Sequence, residues 1–427
     1  MPQIGFPYGK EQLTLQIPRQ KLAGILQSKL HSYTPDLSET ALVAQALENP
    51  VGSPTLCELA KGKKKVVIIA SDHTRPVPSR ILAPLMLEQI RKGNPDAQIT
   101  FLISTGCHSG TTEAELIQKF GPEIVQSENI VIHDCDDAAN MVSLGTLPSG
   151  GELVINRVAA EADLLVAEGF IEPHFFAGFS GGRKSVLPGI AGRATVMYNH
   201  NAAFIAHPKA RTGIIEGNPI HADMLWAAKK AKLAFICNVV INSKKQVVYA
   251  VAGDLEQAHK QGRQFLNDQC RVEAIPSDIV ISTNGGYPMD QNVYQSVKGM
   301  TAAEATVKPG GVIVMVSKCA DGHGGESFYH TFRAQKDLRK MMDGFLQTPP
   351  EQTIVDQWQS QVFARVLMTA TVIYVSDMPP EQIRQLHMIP ADSLSHALEM
   401  AEDILKAKGI ENPSVLAIPD GISVIVN

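Results

Sequence analysis

Short apolar runs alternate with amphipathic segments along the first part of the chain. Four of these runs are typical of buried β-strands: Lys65–Ser71, Gln98–Thr105, Asn129–His133 and Ala162–Ala167. Ser79–Lys92 carries leucine and isoleucine at helical spacing, and residues 112–119 show a second helical pattern. Strands separated by helices indicate βαβ units and a largely parallel sheet.

The spacing shortens near residue 233, and the strand pattern starts again after Pro276. Leu233–Val240 and Gln246–Ala252 predict a hairpin that turns at Asn242–Lys245, and a helix is predicted over residues 255–267. Further strands are predicted at Asp278–Ser282, Val312–Val316 and Thr371–Val375. The predicted fold class is therefore α/β, with mainly parallel sheets in two domains, residues 1–275 and 276–427.

Composition narrows the class of protein. A formal net charge of -5 and 6% aromatic residues argue against a nucleic acid or an anionic membrane as the partner. No apolar run approaches the roughly 20 residues that span a bilayer, and the first residues, MPQIGFPYGKEQ, contain no apolar signal core. The six cysteines are scattered without a C-x-x-C pair, which fits a reducing compartment. We therefore expect a cytoplasmic protein.

Polar side chains follow several of the predicted strands. Asp72, His73, Thr74 and Arg75 come directly after the first strand, His108 follows the second, and His174 follows the strand at residues 162–167. Ligands of open parallel sheets bind beyond the carboxyl ends of the strands. The expected active site is therefore a cleft between the two domains, lined by these residues.

The densest group of unusual residues is the glycine-rich segment Gly169–His200. Gly178–Ser185 almost matches a phosphate-binding loop, but Arg183 stands where that loop requires glycine. Lys184 has two further interpretations, a covalent anchor of the kind that binds pyridoxal phosphate and a solvated surface lysine. The flanking glycines and histidines favour the anchor.

Three histidines are candidates for chemistry. His108 and His174 occupy matching positions after strands, so the pair suits acid–base work as well as it suits a structural role. His200 follows the helix-like segment Arg193–Asn199 but has no ligand partner at i+3 or i+4, so a metal there would need ligands from elsewhere, including a cofactor. Gln295 and Lys298 share a helix face and could bind a small carboxylate and its hydroxyl, or form an exposed polar stripe.

These motifs together resemble the nickel-dependent lactate racemase family. The matching segments are DHTRPVP (Asp72–Pro78), GCH (Gly106–His108), GFIEPHFFAGFSGGRKSVLPGI (Gly169–Ile190), Asn199-His200 and STNGGYPMDQNVYQSVKGMTAAEA (Ser282–Ala305). The likeness continues through DGHGGE (Asp321–Glu326) and Trp358 to IPDG (Ile418–Gly421). It covers nearly the whole chain, and several independent motifs in one order make chance agreement implausible.

The resemblance implies a cofactor, the nickel-pincer nucleotide, which is a pyridinium mononucleotide with two thiocarbonyl arms and a ring carbon bound to nickel. Lys184 matches the lysine that joins this cofactor through a thioamide. His200 matches the fourth nickel ligand, because the pincer itself supplies three donor atoms. His108 and His174 match the paired acid–base histidines.

The resemblance also implies roles for the remaining candidates and for the two domains. Asp72-His73-Thr74-Arg75 match the segment that holds the nucleotide, with Arg75 also near the substrate. Gln295 and Lys298 match the substrate-binding pair, and Trp358 matches a tryptophan beside the pocket. Residues 1–275 would thus form the cofactor-binding and catalytic domain, and residues 276–427 would contribute substrate contacts.

The activity implied is the interconversion of L- and D-lactate by reversible hydride transfer to the cofactor, with pyruvate as the intermediate. Two histidines are needed because the hydroxyl changes sides. Ser109-Gly110 departs from the family, which often has an arginine after the first histidine, and this bears on pocket width. The alternatives are another 2-hydroxy acid, or a binding protein without chemistry. Cofactor-synthesis proteins are expected partners, and the oligomeric state does not follow from the sequence.

Overall fold

The computed structural model describes residues 2–427 and divides the chain into two compact units. The unit that we call the N-terminal unit comprises Leu30–His200 and His207–Asp268. The C-terminal unit comprises the chain up to Lys29, the short segment Asn201–Ala206 and Gln269–Asn427. The predicted division at residue 275/276 lies close to the last of these borders, but it places the first residues of the chain in the other domain.

The strands of the described residues are, in chain order, β1 (Gln3–Tyr8), β2 (Glu11–Gln16), β3 (Leu22–Ile25), β4 (Lys65–Ser71), β5 (Gln98–Ser104), β6 (Asn129–Ile132), β7 (Met141–Thr146), β8 (Glu152–Asn156), β9 (Leu164–Phe170), β10 (Pro173–His174), β11 (Gly178–Phe179), β12 (Leu233–Ile241), β13 (Val247–Gly253), β14 (Arg271–Val272), β15 (Ser277–Thr283), β16 (Val307–Val316), β17 (Thr371–Val375), β18 (Ile389–Ala391), β19 (Val415–Ile418) and β20 (Ile425–Val426). Every strand named from the sequence is confirmed; two of them have the predicted bounds, and the ends of the others shift by up to five residues.

The helices of the same residues are α1 (Glu39–Glu48), α2 (Leu56–Ala60), α3 (Ser79–Gly93), α4 (Glu113–Phe120), α5 (Pro122–Ser127), α6 (Arg157–Ala160), α7 (Arg193–Asn199), α8 (Ala202–Ala206), α9 (Pro219–Lys230), α10 (Gln257–Cys270), α11 (Val293–Glu304), α12 (Glu326–Ala334), α13 (Leu338–Gln347), α14 (Gln357–Thr369), α15 (Pro380–Gln385) and α16 (Leu394–Lys406). Short 3-10 helices lie at Leu30–Ser32, Ala138–Asn140, Gly182–Ser185 and Pro350–Gln352. In the part of the chain described, no helix combines the length and the apolar character needed to cross a membrane.

The N-terminal unit is built on a six-stranded sheet in the order β13-β12-β9-β4-β5-β6. All its neighbours are parallel except the edge pair β12 and β13, which forms the predicted hairpin. Strand β4 is a run of buried aliphatic residues, and α3 packs its apolar side against the sheet through Leu82, Met86 and Ile90. This burial supplies the driving force that holds the strand ends in place.

The C-terminal unit is built on a second six-stranded sheet, all parallel, in the order β18-β17-β16-β15-β19-β3. Strand β3 lies at its edge beside β19, so the start of the chain pairs with its end. The antiparallel hairpin of β1 and β2 belongs to the same unit, and Phe6 and Ile17 are fully buried in its core with Ile279 and Val314. This pairing is the physical reason why the first residues do not belong with the N-terminal unit.

Candidate functional site

The polar residues predicted for the site lie around one point of the N-terminal sheet. Strand β4 lies between β5 on one side and β9 on the other, so the chain order reverses at its edge. Asp72 follows β4, the loop with His108 follows β5, and His174 lies just after β9. A reversal of strand order opens a crevice at the carboxyl ends of a parallel sheet, where ligands bind.

Asp72 orients His108. Its carboxylate is 1% exposed, and His108 Nδ1 lies 2.6 Å from Asp72 Oδ2. Thr74 donates to the other oxygen, Oδ1, from both its hydroxyl (2.6 Å) and its backbone N–H (3.1 Å). Burial acts to raise the pKa of Asp72, but the hydrogen bonds from His108 and Thr74 outweigh it and hold that pKa below its usual value. An ionised Asp72 accepts the proton of Nδ1 and leaves the lone pair of His108 on Nε2.

Arg75 and His73 extend from the same loop in different directions. Arg75 Nη2 lies 3.5 Å from His108 Nε2, so it donates to the lone-pair side of that ring. His73 faces away, with Nδ1 3.2 Å from Thr111 Oγ1 and Nε2 3.6 Å from Glu115 Oε1. Three residues of the four-residue segment, Asp72, Thr74 and Arg75, are therefore grouped around His108, whereas His73 interacts with Thr111 and Glu115.

His174 is presented by the small β10–β11 hairpin, with its ring stacked on that of Phe175. Its Nδ1 accepts long hydrogen bonds from the backbone N–H groups of Phe176 (3.5 Å) and Ala177 (3.3 Å). Its Nε2 lies 3.2 Å from Lys184 Nζ. An ammonium at Lys184 donates to Nε2, so both ring nitrogens of His174 face donors, whereas His108 Nδ1 faces the Asp72 carboxylate.

Lys184 lies in the 3-10 helix that follows the glycine-rich turn. Its neighbour Arg183 stabilises that turn through hydrogen bonds. Arg183 is 1% exposed and donates from Nη2 to the Ala177 carbonyl (2.8 Å) and from Nε to His221 Nδ1 (3.0 Å). Burial lowers the pKa of Arg183 to about 9. The turn runs into a short 3-10 helix and not into an α-helix whose amides could bind phosphate, so the phosphate-loop interpretation does not apply.

His200 is the residue after α7, the helix predicted before it. Its side chain is buried, and its Nδ1 lies 3.1 Å from the Val196 carbonyl, to which it donates. Burial, together with the charge of Lys184, lowers the pKa of His200 to about 3. The imidazole is therefore neutral with its lone pair on Nε2, the form that binds a metal ion.

These donors meet the chemical requirements of a tethered metal cofactor. Lys184 and His174 are in hydrogen-bond contact, and Lys184 is close enough to His200 to act on its pKa. The ring of Phe176 meets His200 edge-on with centroids 5.2 Å apart and lies near the ammonium of Lys184. An amine, a neutral imidazole and an aromatic wall thus lie together in the N-terminal unit.

The predicted substrate pair lies on α11 of the C-terminal unit. That helix begins at Val293, later than the predicted start at Pro288, because Asn292 caps it by accepting from the Gln295 backbone N–H at 2.9 Å. Gln295 Oε1 is a buried oxygen that accepts no hydrogen bond from the described residues. Lys298 follows one turn later, and Trp358 lies on α14, which packs against α11.

One buried polar residue near the site, Glu168, was not predicted from the sequence. Glu168, 2% exposed in β9, accepts from Ser79 Oγ, and Lys119 interacts electrostatically with both Glu168 and Asp72. Burial raises the pKa of Glu168 and lowers that of Lys119. A glutamate at the end of an apolar strand run was the available signal.

Known proteins resemble this chain along its length. Residues 8–213 match the lactate racemase N-terminal domain and residues 272–426 match the lactate racemase C-terminal domain. The lactate racemases of Thermoanaerobacterium thermosaccharolyticum and Lactiplantibacillus plantarum are 53% and 52% identical over 427 residues, covering 100% of this chain and 99% and 100% of theirs.

Solved structures show the same fold. The lactate racemase apoprotein of T. thermosaccharolyticum superposes with a TM-score of 0.96 at 52% identity, and each chain is covered completely. A Thermotoga maritima protein shares the fold alone, with a TM-score of 0.65 at 18% identity over 92% of this chain and all of that one. Full-length identity above half and a common two-unit α/β structure lead to one conclusion: the chain belongs to the lactate racemase family.

Proposed function

We propose that the protein is a racemase of the isomerase class that interconverts L- and D-lactate in the cytoplasm. The proposal rests on the relatives named above and on one observation, the different surroundings of the two histidines: His108 Nδ1 faces the Asp72 carboxylate, whereas both ring nitrogens of His174 face donors. We assign His108 as the base, with its lone pair on Nε2, and His174 in its protonated form as the acid. A reaction that moves a hydroxyl group from one face of a carbon to the other needs both.

The two histidines would handle the hydroxyl proton. In one direction His108 Nε2 takes the proton from the substrate hydroxyl, and the Asp72 carboxylate stabilises the imidazolium that forms. His174, protonated as an imidazolium, gives its Nε2 proton to the oxygen of the turned ketone, which regenerates a hydroxyl on the other side and leaves a neutral imidazole. In the reverse direction the roles exchange. General acid–base help of this kind contributes typically about 10²–10⁴-fold to a rate.

Cofactor binding is the second part of the proposal. We assign Lys184 as the covalent anchor of a nickel-pincer nucleotide and His200 as the protein ligand to nickel. When bound, that group would accept the C2 hydrogen of lactate as hydride and return it, with pyruvate between the two transfers. The contact of Lys184 with His174 and the neutral, buried imidazole of His200 support the assignment.

We propose the predicted roles for the remaining residues and add one, the orientation of His108. Asp72, His73, Thr74 and Arg75 would hold the nucleotide, while Asp72 and Thr74 also orient His108 through the bonds described above. Gln295 and Lys298 would bind the substrate, since Gln295 Oε1 is a buried acceptor that receives no hydrogen bond from the described residues and suits a hydroxyl.

The test is a racemase assay on protein made in a host that also carries the cofactor-synthesis proteins. Chiral chromatography should show D-lactate formed from L-lactate and the reverse, with both reactions abolished in His108→Ala and His174→Ala while nickel stays bound. His330→Ala, at an exposed histidine, is the matched control. Turnover of a different 2-hydroxy acid and not of lactate would replace the substrate but keep the chemistry; near-full activity of either site variant would refute the acid–base scheme.

A further inference from the structure

Two cysteines lie next to the proposed site without a part in its chemistry. Cys107 directly precedes His108 after β5, and Cys135 follows β6. These strands are parallel neighbours whose last paired residues are Ile103 and Ile132. The cysteines therefore lie four and three residues beyond one rung of the same ladder, at the same edge of the sheet.

The two loops that carry the cysteines are tied together. Thr105 Oγ1 donates to the His133 carbonyl at 2.6 Å, and the His133 backbone N–H donates to the Ile103 carbonyl at 3.1 Å. At this end of the sheet the two thiols are close enough for the thiol of Cys107 to donate a hydrogen bond to that of Cys135. Two thiols at hydrogen-bonding distance, on loops that leave neighbouring strands, meet the first requirement for a disulfide, which is that backbone positions allow the sulfurs to approach.

The surroundings of the pair favour a thiolate at Cys135, because the effects that lower its pKa outweigh burial and the charges of Asp136 and Asp134, which raise it. The hydrogen bond from Cys107 lowers the pKa of Cys135, and the guanidinium of Arg193 adds to that effect. Cys107 is partly exposed and Cys135 is 8% exposed, so a small oxidant can reach the pair. A metal ion is a poorer occupant, because the neighbouring Asp136 already forms two 2.6 Å hydrogen bonds with Arg193.

We propose that Cys107 and Cys135 are a redox-sensitive pair that hydrogen peroxide converts to a disulfide, and that this bond reversibly slows the reaction at His108. The Cys135 thiolate attacks one peroxide oxygen, which breaks the O–O bond and gives a sulfenic acid and, after protonation, water. The Cys107 thiol then attacks the sulfenic sulfur, forming the S–S bond and releasing a second water. Two thiols lose two electrons, and peroxide gains them.

The disulfide would act on His108 through the chain. Cys107 is its immediate neighbour, and the His108 backbone N–H donates to the Thr105 carbonyl at 3.0 Å, so the ring is carried by a tight turn. Replacing a thiol–thiol hydrogen bond by a covalent bond draws the Cys107 side chain toward β6 and shifts that turn against Asp72. A displacement of about 1 Å at a reacting group can cost about 100-fold in rate.

The experiment uses full-length protein carrying its cofactor, treated with graded hydrogen peroxide, blocked with N-ethylmaleimide and digested with trypsin without reduction. The sequence places Cys107 in the peptide 93–119 and Cys135 in the peptide 120–157, each with one cysteine. We expect a linked peptide pair lighter by two hydrogen atoms than its components. Lactate interconversion should fall about 10- to 100-fold in step with the link and return with dithiothreitol.

Cys135→Ser should lose the link and keep its activity in peroxide, whereas Cys57→Ser, which removes a partly exposed cysteine outside the pair, should behave like wild type. Peroxide that leaves both thiols open to N-ethylmaleimide, or oxidises them without linking them, overturns the proposal. A complete disulfide link with unchanged activity would show that the disulfide does not slow the reaction at His108. The activity measurement rests on the proposed function: wild type inactive before oxidation would refute that function, while the linked peptide still decides on the pair.

Discussion

Replacing Asp72 by asparagine tests whether the Asp72 carboxylate sets the protonation state of His108, the proposed base. Asp72 Oδ1 accepts two hydrogen bonds from Thr74, so the amide oxygen of the introduced asparagine is expected to take that side. The amide NH₂ then faces His108 Nδ1, which must accept and not donate. The proton of a neutral His108 moves to Nε2, and the lone pair needed for proton abstraction is lost from the substrate side.

The size of the effect follows from the bond that is lost. A hydrogen bond to a charged, buried group is worth about 1.5–3 kcal/mol. At about 1.4 kcal/mol per factor of ten, this predicts a kcat/KM lower by about 10- to 150-fold. The wrong tautomer adds to this loss, and in the serine-protease triad the corresponding change costs about 10⁴-fold in kcat. Asp72→Ala removes the carboxylate without imposing the wrong tautomer and should therefore be less damaging than Asp72→Asn.

The assay is initial-rate lactate interconversion in both directions, with nickel content and thermal stability measured on each variant. Asp254→Asn is the matched control, because Asp254 caps a helix and asparagine caps equally well. A kcat/KM of Asp72→Asn within threefold of wild type, in protein with full nickel, would show that Asp72 does not set the state of His108. A kcat/KM lower for Asp72→Ala than for Asp72→Asn would contradict the argument from the tautomer.

Three further predictions concern other parts of the site. Lys184→Ala should lack the covalent adduct in intact-mass spectrometry, and an unchanged adduct mass would refute the anchor assignment. Gln295→Ala should raise KM for lactate about tenfold with nickel retained, because one hydrogen bond to the substrate is lost; loss of nickel would contradict its role. His221 has a pKa of about 3 when folded, lowered by burial and by Arg183, against 6.5 as its ordinary value. Between these pH values the unfolded chain binds one proton more, so stability rises with pH by about 1.4 kcal/mol per unit from this group, and His221→Gln should remove that slope in urea unfolding; an unchanged slope would refute it.

Local patterns were sufficient for most of the N-terminal sheet. Lys65–Ser71 and the helix after it were predicted nearly to the residue because each buries one continuous apolar surface. The end of β9 was missed, since Glu168 and Gly169 interrupt the apolar run although both are buried in the strand. The glutamate is tolerated there because Ser79 and Lys119 offset the cost of its burial.

Long-range pairing was beyond the sequence. The short run Leu22–Ile25 gains its strand partner only from β19 at the far end of the chain, and nothing local specifies that neighbour. Motifs identified the candidate residues of the site, but they did not predict the hydrogen bonds of those residues. That Asp72 orients His108, and that His174 receives backbone N–H groups at Nδ1, depends on loop geometry that composition and spacing do not encode.

L-Lactate deuterated at C2 distinguishes a hydride that leaves lactate and returns to it from a proton that is lost to the solvent. Protein made alongside the cofactor pathway is incubated with this substrate in ordinary water, and the D-lactate is isolated by chiral chromatography and analysed by mass spectrometry. We expect D-lactate that keeps its deuterium. D-lactate that has exchanged its deuterium for solvent hydrogen would mean proton abstraction at C2 and would contradict the assignment of Lys184 and His200 to a hydride-accepting cofactor.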